Sequence, residues 1–188
     1  MNIATRSAVL FLLSFLVGCS FVKSPVPFGL EPVELSAEKF TGTWENEDGD
    51  DLEISVADSA KGLLELSYEE EDGPESSKHS SIKVHILAGR KWHYASVPAA
   101  EDGSDSEGFL FACIQNKKKR IIIWMPDLAK FRTLIEDGKI PGKIVKKDVI
   151  LEKVTPEIID IIESEKQGIL FDWREPMIFR RKTSPEKD

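Results

Sequence analysis

Leu52-Glu53-Ile54-Ser55-Val56, Leu64-Glu65-Leu66-Ser67-Tyr68 and Ile82-Lys83-Val84-His85-Ile86 are three runs with an apolar residue at every second position. Alternate side chains of a strand point to opposite faces, so each run reads as a strand with one face in a core and one toward water. Lys91 to Val97, Phe109 to Gln115 and Arg120 to Met125 extend the pattern, and the stretch around Trp44 brings the count to seven. Between them stand turn signals: Asp48-Gly49, Asp72-Gly73, Gly89-Arg90, and Asn116 with its lysines. Consecutive strands with short connections pair as neighbours, which predicts an antiparallel meander.

Helical signals come only later. Pro126 and Asp127 open a segment with Leu128, Phe131, Leu134 and Ile135 on one face, and Gly138 stops it. A hairpin follows, Lys143–Val145 and Val149–Val154, turning at Lys146-Lys147-Asp148. Thr155 caps a second helix with Pro156 in its first position and Ile158, Ile159, Ile161 and Ile162 within it; Gly168 is its expected end. Met177 to Arg181 reads as a last strand. The fold expected is α+β and mainly β: an up-and-down meander or barrel of about 8–10 strands with two short helices in the C-terminal third. The alternative is an open curved sheet packed by the helices.

The amino terminus has a different character. Arg6 precedes an apolar run, Ala8 to Val17, broken only by Ser14, and Leu16-Val17-Gly18-Cys19 follows. A short charged region, a short apolar core and a small residue at the cut form a secretory signal. As a helix the run covers about 15 Å, half of a bilayer core, so a spanning segment is the weaker reading. Leu-Val-Gly-Cys resembles the lipobox of bacterial lipoproteins. That resemblance implies cleavage before Cys19, diacylglycerol on its thiol and an acylated amino group. The alternative is an ordinary secreted chain with a chance cysteine at the cut. Ser20, rather than an aspartate, follows the cysteine, which in Gram-negative lipoproteins points to the outer membrane, facing the periplasm.

The layout expected is a signal over 1–18, a lipidated tether over 19–35 containing Pro25, Pro27 and Pro32, one β-rich domain over 36–182, and a frayed tail over 183–188. Drawn out, the tether would reach up to roughly 50 Å. Loss of Arg6 with the signal leaves 24 cations against 33 acids, a net charge of −9. That balance argues against nucleic acid as the main partner. The only cysteines are Cys19 and Cys113. With Cys19 acylated, Cys113 has no partner for an intrachain disulfide, and its place in the apolar pattern Phe109, Phe111, Cys113 suggests a buried, inert thiol.

Leu35 to Trp44 holds a short helical turn, then Gly42-Thr43-Trp44 entering the first strand. This resembles the Gly-x-Trp opening of lipocalins and related calycin barrels. The resemblance implies that a short helix closes one end, that Trp44 packs at the base, and that Arg180 or Arg181 stacks on it. It also implies an apolar ligand. The helices that interrupt the strand order after the seventh strand depart from that pattern.

In an up-and-down meander, alternate turns share an end. Glu45–Asp51, Glu69–Lys78 and Ala99–Gly108 together carry −13, while Asp58–Lys61, Ala88–Lys91 and Asn116–Arg120 carry +6. With the tether entering at the basic end, Arg90, Lys91, Lys117, Lys118, Lys119 and Arg120 are expected to face anionic headgroups. The acidic stretch Asn46 to Asp51 fails calcium-loop spacing and reads as a hairpin turn. His85 and His93 sit opposite each other only if the Gly89 hairpin has a three-residue loop, and two histidines make a poor zinc site. There is no Gly-x-Ser-x-Gly, no phosphate-binding glycine loop and no cofactor motif. The expected function is therefore non-enzymatic: an envelope lipoprotein held to the bilayer through Cys19, whose β-domain binds an apolar ligand or an envelope protein. A structural or assembly protein without a ligand cavity is the second reading, and an envelope enzyme the third.

Overall fold

A computed structural model of the chain describes residues 20–71, 77–99, 108–164, 166 and 168–182. Among them, the strands are β1 (Val22–Ser24), β2 (Glu31–Pro32), β3 (Gly42–Glu45), β4 (Asp51–Asp58), β5 (Leu63–Glu71), β6 (Ser77–Ala88), β7 (His93–Pro98), β8 (Phe109–Lys117), β9 (Arg120–Trp124), β10 (Gly142–Val145), β11 (Asp148–Leu151) and β12 (Met177–Arg181). The helices are α1 (Ala37–Phe40), α2 (Leu128–Glu136) and α3 (Pro156–Glu163).

Eight strands close an antiparallel barrel: β3 through β9 in chain order, then β12, which pairs with both β9 and β3. The fold is mainly β, and the barrel, not the open sheet, is its form. Closure removes the free edges that an eight-strand meander would otherwise expose. The register carries one inward face around the whole ring. Trp44 is opposite Leu52, Ile54 opposite Leu66, Leu64 opposite Val84, Ile86 opposite Ala95, Ala95 opposite Ala112, and Ile114 opposite Ile123. The alternating residues that predicted the strands are therefore the barrel core, with Trp44, Ile54, Leu64, Val84, Ile86, Ile114 and Ile121 all buried.

A second core lies outside the barrel wall. Phe111 and Cys113 on β8 and Tyr94 on β7 point outward and are buried against α2, α3, Val149 and Leu151 of β11, and the segment around Leu170 and Phe171. β8 is thus buried on both faces. The helices form as their caps dictate: the Asp127 side chain accepts from the Lys130 amide, and Thr155 accepts from the Ile158 amide ahead of a proline in the first turn. Gly138 beyond α2 has φ +66°, the left-handed conformation that ends a helix cheaply. α3 stops earlier than Gly168. Glu163 is its last residue, and Ser164 is already extended.

The larger correction concerns residues 20–35, which are not a free tether. β1 pairs antiparallel with the start of β8 and parallel with β11, and β2 pairs with the end of β6. Val22, Ser24, Phe28 and Leu35 are all buried. The chain runs beside β8, turns over through Pro25 to Gly29, and descends along β7 and β6 to α1. The physical reason is the outward apolar face of β7 and β8, which needs a cover. Phe28 supplies it, stacked on Phe111 at 4.0 Å between ring centroids and edge-on to Tyr94 at 4.8 Å. The prolines suit such an extended strap as well as they suit a linker.

Candidate functional site

One end of the barrel is closed by Trp44. Its indole is fully buried, and Nε1 donates to the Phe40 carbonyl at 2.8 Å, tying α1 across the opening. Arg181 pairs in register with Trp44 and so shares its face; its guanidinium carbon sits 4.8 Å from the ring centroid. Nη1 of Arg181 donates to the Glu38 carbonyl at 2.8 Å, and its backbone amide to Lys119 at 3.0 Å. Strand alternation turns Arg180 outward, where it is exposed in register with Glu45. Of the two candidate arginines, the stack uses Arg181.

Inside the barrel the lining is unevenly buried. Near the plug Ile121 is 2 % exposed, Leu64 2 % and Ile86 1 %, while their inward neighbours Val56 and Ala95 are half-buried. Leu52, level with Trp44, and Leu66, Ile82, Val97, Ile123 and Phe179 also point inward and are only half-buried, and Met177 is exposed. The most tightly buried inward side chains thus include Trp44, Leu64, Ile86 and Ile121, and a half-buried apolar set accompanies them. The interior of an eight-strand barrel is just wide enough for its own side chains or for one small ligand. Of the turns assigned to the acidic end, Glu45–Asp51 is described, while most of the other two loops, 72–76 and 100–107, lies outside the described residues.

The described turn is organised by Asn46. Its Oδ1 accepts from the amides of Asp48 at 3.0 Å and Asp50 at 2.8 Å, and its Nδ2 donates to the Asp50 carboxylate at 2.9 Å. Lys182 holds the rim, with Nζ bridging Asp51 and Glu45; these carboxylates raise its pKa. His85 and His93 lie on opposite faces, since His93 is paired with Ala88 and His85 with Ser96. The four residues between β6 and β7 remove the register that would have brought them together. The side chain of His79 lies outside the described residues.

The basic turns differ from one another. Lys117, Lys118, Lys119 and Arg120 are exposed at the plugged end, with Lys118 at φ +43°. Arg90 and Lys91 are instead drawn onto α3. Glu163 is only 3 % exposed, and its carboxylate accepts from the Arg90 amide, the Lys91 amide at 2.7 Å and the Tyr94 hydroxyl at 2.8 Å. Lys91 Nζ donates to the Glu163 carbonyl at 3.3 Å, and Arg90 pairs with Asp160 at 3.2 Å. Gly89 is required beneath this latch: a Cβ there would overlap the Glu163 carboxylate and stand 2.8 Å from the Tyr94 ring. Sequence reasoning missed Glu163, which looks like one more polar residue near a helix end. The available signal was Glu163 following Ile158, Ile159 and Ile162 on the helix face that is buried.

The segment ahead of the barrel enters β3 at the basic end, where the Lys39 and Glu38 carbonyls of α1 accept from Asn116 and Arg181, but its earlier part runs back along the barrel wall. Ser20 and Phe21 leave the fold at the barrel's side, where they line an open cavity of about 420 Å³ with Val22, Leu110, Phe111, Met125, Pro126 and Leu128. From Phe111, which shares this cavity, the turn that begins at Lys117 is about 20 Å further along β8.

Burial pushes the Cys113 thiol up to about 12, helped by the Glu163 charge, and burial with the Glu163 hydrogen bond raises Tyr94. Both groups bind their protons more tightly folded than unfolded, so both contributions are intact below the unfolded pKa and are lost as pH rises. The midpoint of thermal unfolding is expected to fall from about pH 9 toward pH 12, through the Cys113 window. Melts across that range check it, and Cys113→Ala with Tyr94→Phe should flatten the slope. Alkylation of native Cys113 near pH 8 should be far slower than in urea.

No family model, curated protein or solved structure matches the chain.

Proposed function

We propose that the chain is a bacterial envelope lipoprotein, acylated at Cys19, whose barrel takes an apolar ligand in its interior without catalysing a reaction on it. The observation that carries the ligand reading is uneven burial inside the barrel: Trp44, Ile121 and Leu64 are sealed, while the inward apolar side chains of Leu66, Ile82, Val97, Ile123 and Phe179 are only half-buried. Incompletely buried apolar side chains inside a barrel suit a ligand with a hydrocarbon portion. The lipobox resemblance of Leu16 to Cys19 carries the anchoring reading. It implies the outer membrane and a periplasm-facing domain where the host is Gram-negative. The Glu163 carboxylate is occupied by its three donors and serves as a structural latch, so it supplies no reacting group.

Native mass spectrometry of residues 19–188 with a long-chain fatty acid should give a one-to-one complex. Val97→Trp, which fills the interior from β7, should weaken that complex about ten-fold or more, a change of about 1.4 kcal/mol, with little change in melting temperature. Bare protein at every fatty-acid concentration, or equal binding by Val97→Trp, would remove the ligand reading. The second reading, a domain that acts through its surface on an envelope protein, would then stand.

A further inference from the structure

We infer that the face made by Phe21, Met125, Leu128 and the β10–β11 tip Val145-Lys146-Lys147 lies flat on the bilayer, with both lysines against anionic headgroups. This rests on the Cys19 anchor reading and adds the contact face. The first described residue, Ser20, already lines the fold, so an anchor on Cys19 stands one residue from the folded body. With no slack between lipid and domain, the surface around Ser20 is the one that meets the membrane.

That surface has the matching chemistry. Phe21 is clamped to the tip: its amide donates to Asp148 Oδ1 at 3.0 Å, and its carbonyl accepts from Val149 at 2.8 Å. Beyond the clamp, Val145 is 43 % exposed and Met125 36 %, while Lys146 and Lys147 are exposed. The nearby acid is spent, because Asp148 is also ion-paired to Lys23 at 2.8 Å. α2 fixes the tip in place, with Leu128 in the groove and Arg132 donating to the Lys147 carbonyl at 3.2 Å. Apolar side chains beside exposed cations suit an interface of acyl chains and phosphates. The bilayer is favoured over a protein partner because the anchor holds this face at the lipid.

The test couples residues 19–188 through the Cys19 thiol to a maleimide lipid, in vesicles with about one third phosphatidylglycerol or with phosphatidylcholine alone. Buried Cys113 should stay unreacted. A membrane-impermeant amine reagent is then read by mass spectrometry at each lysine. On anionic vesicles, labelling of Lys146 and Lys147 should fall about five-fold or more relative to the uncoupled chain, since each lysine gains about 1 kcal/mol there. Lys117, Lys118 and Lys119 should label unchanged. Equal labelling at the two sites, or protection of Lys117–Lys119 instead, would overturn the inference. Chemical coupling does not depend on cellular lipidation, so failure of the face and failure of the anchor reading are separate results.

Discussion

Phe28→Ala is expected to lower the unfolding free energy by about 3–5 kcal/mol. Residue 28 belongs to a stretch whose composition suggests a linker, and a linker substitution would change stability by about 0.5 kcal/mol or less. The geometry says otherwise. Phe28 is fully buried, parallel to Phe111 within 9° and nearly perpendicular to Tyr94 at 88°. Its amide donates to the buried Ser96 hydroxyl at 2.9 Å. Truncation leaves a cavity bounded by strands of the barrel wall, which cannot collapse to fill it, so the cost should sit at the upper part of the range for lost aromatics. Urea unfolding followed by tryptophan fluorescence measures it. A midpoint shift under about 0.5 kcal/mol would restore the tether. Deleting residues 20–35 should be worse still, exposing the outer faces of β7 and β8 and giving an aggregating product.

Glu163→Ala is the second large loss, about 3 kcal/mol, because it strands three donors at once: the Arg90 amide, the Lys91 amide and the Tyr94 hydroxyl. A hydrogen bond to a charged acceptor is worth about 1.5–3 kcal/mol, but two of these donors lie near the surface and regain water. Glu163→Gln keeps the shape and one acceptor, so about half of the loss is expected. Tyr94→Phe removes one donor and leaves the carboxylate its amides, for about 1 kcal/mol. Gly89→Ala should resemble Glu163→Ala, since the added methyl group displaces the carboxylate from the same pocket. Hydrogen exchange separates the latch from the rest of the fold: Glu163→Ala should speed exchange in α3 while β4 and β5 stay protected. Uniform acceleration in all elements would mean that α3 and the barrel unfold together and that no local latch exists.

The barrel was legible because its signals are local. Leu52, Ile54 and Val56 declare a strand face, Asp48-Gly49 and Gly89 mark its turns, and Asp127 and Thr155 announce their helices in the residues that cap them. Trp44 was legible as a plug by likeness, and alternation alone selects Arg181 over Arg180. Closure of the ring was harder, because it depends on β12 reaching back across about 130 residues to β3. The strap and the latch depend on partners distant in sequence: Phe28 on Ser96, and Glu163 on the turn at Arg90. One clue was present. Phe109 to Ile114 is apolar without alternation, which means a strand covered on both sides. Something had to lie over Phe111 and Cys113, and the apolar residues of 20–35 were available to do it. A free tether would allow the barrel many orientations, whereas a strap packed on β8, β7 and β6 restricts them.

The most direct test of the central proposal is the intact mass of the protein recovered from a bacterial membrane after expression of the full chain. The account predicts a chain beginning at Cys19, carrying diacylglycerol and a further acyl group, with Cys19→Ser giving an unlipidated form released from the membrane. A mass matching residues 1–188, or any cut product without lipid, would contradict it.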